Sequence, residues 1–334
     1  MDNFKCIQMI GTQRSGSNLL RLMLNQKDEV MAPHPPHILL NFFPLLKKYG
    51  DLNTYENFYR LLDDVCTFVE LNPVPWDHVN LNRDELISSC VDYSLIEIFR
   101  VIYEARSRIE NARFWCCKSM ANVQFHDPLE SSGLKPFYIY LYRDGRDVAL
   151  SFQKAMVGEK HIYNLAKKWR NDQLAALSLC ETLPEDRYIK VRYEELINNS
   201  DKTIKAICNK LGIPFQKNYS AFYTSKESIN TSDSGEMWEN VKKPVLTDNF
   251  NKFKKGMSQN DICIFESVAG DVLQKLNYSL ENKKETLFNS FSENEIETFN
   301  LINNQLKKEV QLNAKKEDIE KRSKQNAFFN TIKV

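Results

Sequence analysis

Four short apolar runs limit the folds open to this chain more than any other feature. They lie at residues 6–10, 114–117, 137–142 and 188–192, and their β-branched and aromatic content predicts buried strands. Helical patterns fill most of the space between them, at 19–25, 55–69, 84–108, 162–179 and 202–211. Strands separated by helices indicate an α/β domain in which helices flank a mostly parallel central sheet.

Two long segments lie outside this alternation. The connection between the first two strands must carry an extra helical layer, which we place at residues 39–113, and such insertions commonly shape a substrate cleft. Residues 285–334 contain no Gly or Pro and repeat apolar side chains at near-helical spacing. We therefore expect a main domain at 1–284 and a helical extension at 285–334. The extension is either a surface helix that packs one stripe on the body and frays after Asn313, or a dimerisation or docking helix.

Composition excludes several classes of function. The 45 Lys and Arg residues nearly balance the 44 Asp and Glu residues, so the basic field that gathers nucleic acid is missing. No apolar run approaches the roughly 18 residues of a membrane span, and the first is too short for a signal peptide. The eight cysteines form no CxxC pair, which favours a reducing compartment. These features predict a cytoplasmic protein that holds any anion through a local cluster.

The first such cluster follows the first strand. Residues 10–20 read IGTQRSGSNLL, a tight loop that opens a helix and aims free backbone N–H groups at an anion. Gly11 and Gly16 let the backbone approach a ligand, Ser17 and Asn18 add donors, and Arg14 adds a permanent cation. The spacing of the glycines resembles the nucleotide P-loop. Ser17 and Asn18, however, stand where that loop needs Lys followed by Ser or Thr.

A second corner of the same kind follows the third strand. Residues 140–151 read YLYRDGRDVALS, with Arg143 at the carboxyl end of the strand, where open α/β sheets bind ligands. We expect Asp147 to cap the next helix and to place Ser151 one turn further on. Arg143 and Ser151 then converge on one phosphate. Two corners that both carry Arg and Ser argue against a chance match.

With these residues the chain resembles the sulfotransferases that use 3′-phosphoadenosine-5′-phosphosulfate (PAPS), in their bacterial and Golgi-type form. Residues 11–18, including Ser15, are similar to the family's 5′-phosphosulfate loop, and 143–151 to its 3′-phosphate motif. The stretch VRYEEL around Tyr193 resembles a segment near the adenine pocket. The stretch FKKGMS resembles the family's W-K-K-G segment and supplies Lys254, Lys255 and Gly256. The resemblance spans about residues 5–281 and implies a P-loop-like three-layer fold, PAPS as donor, a hydroxyl-bearing acceptor and no metal.

The resemblance also suggests which groups carry the chemistry. In-line transfer needs charge stabilisation on the leaving group and a base for the acceptor proton. Arg14 is the first candidate cation. Lys118, in a segment similar to the family's K-S-A-N, is the second. Golgi-type relatives often place a Glu about twenty residues after the loop cation, but this chain has APHPPH there. We expect His34 to be the base, and His37 and His126 remain alternatives.

Carbohydrate or other alcohol hydroxyls are the acceptors that the resemblance favours over phenols. Two rival functions remain open. One is a kinase or NTPase with a degenerate P-loop, which would require ATP and Mg²⁺. The other is a non-catalytic module that binds adenosine bisphosphate; it would keep Arg143 and Ser151 but has no use for Arg14, Lys118 and a base.

Overall fold

A single five-stranded sheet organises the protein. The computed structural model describes residues 4–76, 80–313 and 315–333. Within them all strand pairs are parallel, in the order β2-β3-β1-β4-β5. The strands are β1 (Lys5–Ile10), β2 (Val30–Met31), β3 (Phe114–Cys117), β4 (Phe137–Tyr142) and β5 (Tyr188–Arg192). The four predicted strands are confirmed, whereas the two residues of β2 are too few to form a recognisable pattern.

Helices make up most of the remaining chain. The α-helices are α1 (Ser17–Leu24), α2 (Ile38–Phe42), α3 (Tyr55–Glu70), α4 (Arg83–Ser88), α5 (Leu95–Glu110), α6 (His126–Ser131), α7 (Gly145–Gln153), α8 (Ile162–Thr182), α9 (Tyr193–Asn198), α10 (Ser200–Leu211), α11 (Lys226–Asp233), α12 (Phe253–Gly256), α13 (Gln259–Lys275), α14 (Glu293–Leu312) and α15 (Lys316–Lys333). Among the helices described, none combines the length and the apolar character that a bilayer span requires.

The single helix predicted at 84–108 is wrong, because the chain forms two helices there. The side chain of Asn82 caps α4 by accepting from the backbone N–H groups of Asp84 and Glu85. Ser94 caps α5 by accepting from the N–H of Glu97 at 3.2 Å. A second N-cap starts a new helix, since its backbone is extended and cannot continue the first one.

The pleat of β1 divides the core between two faces of the sheet. Ile7 and Met9 pack with apolar residues of α1 and α10 on one face. On the other face, Cys6 packs with the helical insertion, chiefly α3 and α5. Ile10, further along that face, joins a core formed with α7, α8 and α13. Helices therefore cover both faces of a parallel sheet, and the predicted three-layer α/β fold is confirmed.

The order of the strands determines which loops meet. β1 lies between β3 and β4, with Gln8 paired to Cys117 and Ile10 paired to Tyr140. Parallel strands end at the same edge of a sheet, so the segments after β1, β3 and β4 lie side by side. Both predicted phosphate corners and Lys118 belong to these three segments.

The C-terminal extension continues beyond the point where fraying was predicted. In α14, Phe299 packs against the core beside α8, and the side chain of Asn303 accepts from the backbone N–H groups of Lys160 and His161. The prediction that the helix frays after Asn313 is wrong, because residues 316–333 form α15. Aromatic side chains of α15 pack against the helical insertion, which supplies the apolar contact that a short isolated helix lacks.

Candidate functional site

The loop after β1 has the conformation that its glycines predict. Gly11 and Gly16 have φ angles of +123° and +88°, and Arg14 between them is also left-handed, at +69°. A Cβ on Gly16 would lie 2.4 Å from ring carbons of Tyr193, so only glycine fits this close approach. Gly16 ends the loop as the N-cap of α1.

The side chains of this loop divide between the cleft and the protein interior. Arg14, Ser17 and Asn18 line a cleft at the carboxyl edge of the sheet, together with Gly16. Ser15 is buried and does not line the cleft, and its hydroxyl has no hydrogen-bond partner within the described part of the chain. The loop thus offers the cleft one guanidinium, one hydroxyl, the side-chain amides of Gln13 and Asn18, and the start of a helix.

The corner after β4 differs from the sequence prediction in its cap. Asp144, not Asp147, is the N-cap of α7, and its carboxylate accepts from the backbone N–H of Arg146 at 2.9 Å. Asp147 lies in the first turn and accepts from the N–H of Phe253 at 2.9 Å. The prediction that Asp147 is the cap is wrong because the helix already begins at Gly145. Arg143 and Ser151 still both line the cleft.

The two corners are in direct contact. Arg14 Nε donates to Ser151 Oγ at 3.0 Å, and Arg143 Nη1 donates to the carbonyl oxygen of Arg14 at 3.3 Å. Burial and the positive charge of Arg143 both lower the pKa of Arg14. Two guanidinium groups held this close repel each other and attract an anion placed between them.

Tyr193 lines the cleft and contacts residues of both corners. The guanidinium of Arg143 lies 4.4 Å from the centre of its ring, while Gly16 touches the ring edge. The side-chain amide of Asn249 donates to the Tyr193 hydroxyl at 2.7 Å, and the carbonyl oxygen of Asn249 accepts from Arg143 Nη2 at 2.8 Å. Asn249 belongs to no sequence motif, so its contacts with Tyr193 and Arg143 could not be predicted from the sequence.

The basic segment near residue 254 lies outside the lining of the cleft. Lys254 pairs with Glu281 at 2.7 Å, Lys255 is exposed, and Gly256 faces Leu150, so none of these three residues lines the cleft. Lys252, just before the helix α12, does line it. The short helix turns the motif lysines away and leaves the preceding lysine at the cleft.

Lys118 follows β3 and lines the cleft beside the first corner. Burial, followed by the charges of Arg21 and Arg14, lowers its pKa to about 7. The strand end that carries it is held by Gln8 of β1, whose side-chain amide donates to the carbonyl oxygens of Cys117 and Ser119. A buried lysine near its pKa at neutral pH is a group whose charge responds to a nearby anion.

Two of the three candidate bases lie in the cleft. His34 is 5% exposed, and neither ring nitrogen has a hydrogen-bond partner among the described residues. Burial, then the charge of Lys118, lowers its pKa well below 6.5, so the ring is neutral at pH 7. Its backbone is held on both sides, because Glu227 accepts from its N–H at 3.1 Å and Trp76 donates to its carbonyl at 2.7 Å.

In each of the other two candidate bases, His37 and His126, a ring nitrogen contacts another protein atom. His37 Nδ1 lies 2.9 Å from Ser119 Oγ, and burial with the charge of Lys118 lowers the pKa of His37 to about 3. His126 Nδ1 contacts the carbonyl of Val123 at 2.8 Å, and this residue does not line the cleft. Of the two candidate histidines that line the cleft, His34 is therefore the one with neither ring nitrogen hydrogen-bonded within the described residues.

The cleft has a volume of about 750 Å³. Part of its lining comes from residues outside every sequence motif, in the segment after α11 and in the C-terminal helix. They are Trp238, Asn240, Lys243, Arg322, Gln325, Asn326 and Phe329. These residues belong to no motif and lie far apart in the chain, so only the tertiary structure brings them together.

Comparison with known proteins agrees with this geometry. A model of the sulfotransferase family matches residues 7–217, which is more than half of the chain. No curated protein matches the sequence. The sulfotransferase domain from the curacin biosynthetic pathway is similar in fold, with a TM-score of 0.58 and 20% identity, covering 83% of this chain and 99% of its own. The sulfotransferase domain of the Synechococcus PCC 7002 olefin synthase follows, with a TM-score of 0.51 and 21% identity over 80% and 95% of the two chains. The chain belongs to the sulfotransferase family.

Proposed function

We propose that this protein transfers the sulfuryl group of PAPS to the hydroxyl of an acceptor alcohol. The observation that carries the proposal is the contact between the two corners, where Arg14 of the first donates to Ser151 of the second at 3.0 Å. A donor with a phosphate at its 3′ position and a phosphosulfate at its 5′ position needs two anion sites, and the two corners proposed for them line one cleft. A nucleoside triphosphate lacks the 3′ group that this second corner would bind.

The residues present suit such a donor. Ser17, Asn18, Arg143 and Ser151 offer hydrogen-bond donors, and Arg14 and Lys118 add positive charge. Arg143 Nε is buried and has no hydrogen-bond partner in the described part of the chain. An orphaned buried donor on a cation is costly unless a ligand satisfies it, which supports a phosphate contact at this atom.

When bound, PAPS supplies an electrophilic sulfur whose bond to the 5′-phosphate oxygen breaks as the acceptor oxygen bonds to it. Arg14 and Lys118 stabilise the negative charge that develops on the leaving phosphate. His34 accepts the proton of the acceptor hydroxyl at a ring nitrogen that is neutral and unengaged at pH 7. The products are a sulfated acceptor and adenosine 3′,5′-bisphosphate.

Several finer predictions belong to the same proposal. Carbohydrate or other alcohol hydroxyls are the proposed acceptors, and the cytoplasm is the proposed location. Lys254, Lys255 and Gly256 are proposed as donor-binding residues by resemblance alone, whereas Lys252 is proposed because it lines the cleft. Dimerisation through the C-terminal helices also remains a proposal.

Ligand-induced stabilisation tests the donor assignment. We expect adenosine 3′,5′-bisphosphate to raise the melting temperature much more than 5′-AMP does, because only the first engages Arg143 and Ser151. Saturation at 100 times Kd corresponds to about 2.7 kcal/mol, which a melting curve resolves easily. The Ser151→Ala variant should lose most of the difference between the two nucleotides. Ser220→Ala, a serine outside the cleft, is the matched control and should keep it. Equal shifts from both nucleotides on the wild-type protein would contradict the proposal.

A further inference from the structure

The last helix of the chain contributes one complete face to the cleft. Arg322, Gln325, Asn326 and Phe329 of α15 all line it, and their spacing places them on one side of the helix. This helix lies beyond residue 217, where the match to the family model ends. The face is therefore a feature of this chain that the family match does not describe.

Specific contacts seat α15 against the body. The ring of Phe329 lies 5.1 Å from that of Phe68 and 5.8 Å from that of Phe42, both in the helical insertion. Gln325 donates from its side chain to the carbonyl of Phe68 at 2.8 Å. Lys321 donates to the carbonyl of Asp233 at the end of α11. The helix is thus docked on two separate parts of the fold.

The polar end of this face lies beside the proposed base. The guanidinium of Arg322 is 5.4 Å from the centre of the Trp238 ring, and that ring meets the His34 ring edge-on at 4.9 Å. The positive charge of Arg322 contributes to lowering the pKa values of His34 and His37. Arg322 therefore lies on the same side of the cleft as the proposed base, within the electrostatic reach of His34 and His37.

The described lining of the cleft is rich in basic side chains. The described residues that line it include seven cations: Arg14, Lys118, Arg143, Lys154, Lys243, Lys252 and Arg322. Among the described lining residues, Asp147 is the one with a carboxylate, and its Oδ2 lies 3.7 Å from Nη2 of Arg143. A PAPS molecule brings roughly four negative charges, since a phosphate monoester alone carries nearly two. Two of the seven cations, Lys243 and Arg322, belong to the segments that line the cleft beside His34 and Trp238.

We infer that α15 forms the acceptor wall and that Arg322 binds a carboxylate or similar anionic group on the acceptor alcohol. This inference rests on the proposed function and names its substrate class. The guanidinium, stacked on Trp238, holds the acidic group while His34 faces the hydroxyl. Phe329 and the aromatic rings around it support the helix from the other end.

The test separates acidic from neutral acceptors before the reaction. Small molecules from the cells that make the protein are divided by anion exchange, and half of the acidic pool is methylated to block carboxylates. Each pool is incubated with ³⁵S-labelled PAPS and the wild-type protein. We expect labelled product mainly from the acidic pool, with a loss of at least tenfold after methylation. Product mainly from the neutral pool overturns the inference but leaves the proposed function intact. Product from no pool counts against the proposed function itself.

A matched pair of variants assigns the effect to one side chain. Arg322→Gln should lower transfer to the acidic pool by roughly 10–100-fold, the usual range for a lost hydrogen bond to a charged group. Arg322→Lys should recover part of it. Lys324→Gln removes the same charge from an exposed position of the same helix and should change nothing. In all three variants adenosine 3′,5′-bisphosphate should still raise the melting temperature, which shows that the donor site is folded. Equal activities of the Arg322→Gln and Lys324→Gln variants overturn the inference.

Discussion

The proposed donor end and the proposed acceptor end of the cleft are built in different ways. The donor end consists of two strand-turn-helix corners, each contiguous in sequence and each at the edge of the parallel sheet. The acceptor end is assembled from four distant segments: the loop around His34, the helical insertion, the loop after α11, and α15. The first is fixed by local backbone geometry, whereas the second depends on how separate helices pack.

This difference separates the determinants of donor and acceptor recognition. The donor corners can stay unchanged while residues on α15 or around Trp238 vary, because no backbone of the corners is shared with those segments. A fold that fixes one substrate on the sheet and places the other against surrounding helices can accept new acceptors without losing its donor. Three experiments test whether the two ends are in fact independent.

The largest effect is expected from removing the proposed base, His34, and it should be confined to the proposed acceptor end. His34→Ala should lower turnover by roughly 10²–10⁴-fold, the usual worth of a general base. The melting shift with adenosine 3′,5′-bisphosphate should survive, because His34 belongs to the proposed acceptor end and not to the two corners. His126→Ala, outside the cleft, is the matched control and should keep full turnover. If His34→Ala is fully active and His37→Ala is inactive, the role belongs to His37. If neither loses activity, no histidine of this loop is the base.

The second largest effect is expected from replacing Arg14, and it should weaken both donor binding and the rate of transfer. Arg14→Ala should lower turnover by roughly 10²–10³-fold, because one preorganised charge donor contributes about 2.7–4 kcal/mol to transition-state stabilisation. It should also reduce the melting shift with adenosine 3′,5′-bisphosphate, since Arg14 joins the two corners. Lys275→Ala, a surface lysine paired with Glu181, serves as control. Turnover within a few-fold of the wild type would remove Arg14 from the catalytic role.

The smallest effect concerns Lys118, which lies where the two ends meet. Its pKa is lowered from 10.5 to about 7, so the cation is present below pH 7 and is lost as the pH rises above it. The kcat/KM for the donor, which reports the free enzyme, should therefore fall from about pH 7 upwards, by up to roughly tenfold per pH unit. Lys118→Arg should abolish this alkaline limb, because a guanidinium stays charged. An unchanged limb in that variant would assign the titration to another group.

Local patterns account for how well the sequence predicted the donor end. Short buried strands, glycines with left-handed backbone and corner arginines are properties of a few consecutive residues, so the sheet and both corners could be predicted. The cap of α7 was misplaced from Asp144 to Asp147 because both aspartates suit the position and only the start of the helix decides between them.

The acceptor end was harder to predict for a physical reason. Trp238 and Arg322 are separated from His34 by some two or three hundred residues, and no local preference of either reveals their contact. The helix α15 was expected to fray, because its own sequence is polar and its stability comes from Phe328 and Phe329 packing on the insertion. Tertiary contact of this kind leaves no periodic signal in a single sequence.

The central position of β1 has a consequence for synthesis of the chain. This strand emerges first, yet its two hydrogen-bonding partners begin at Phe114 and Phe137. Until both have been synthesised, neither edge of the strand can form its native pairing, and closing these pairings carries the entropic cost of long loops. The centre of the sheet can therefore be completed only after β4 has been made, so the last of its long-range contacts to become possible are among those that organise the whole fold.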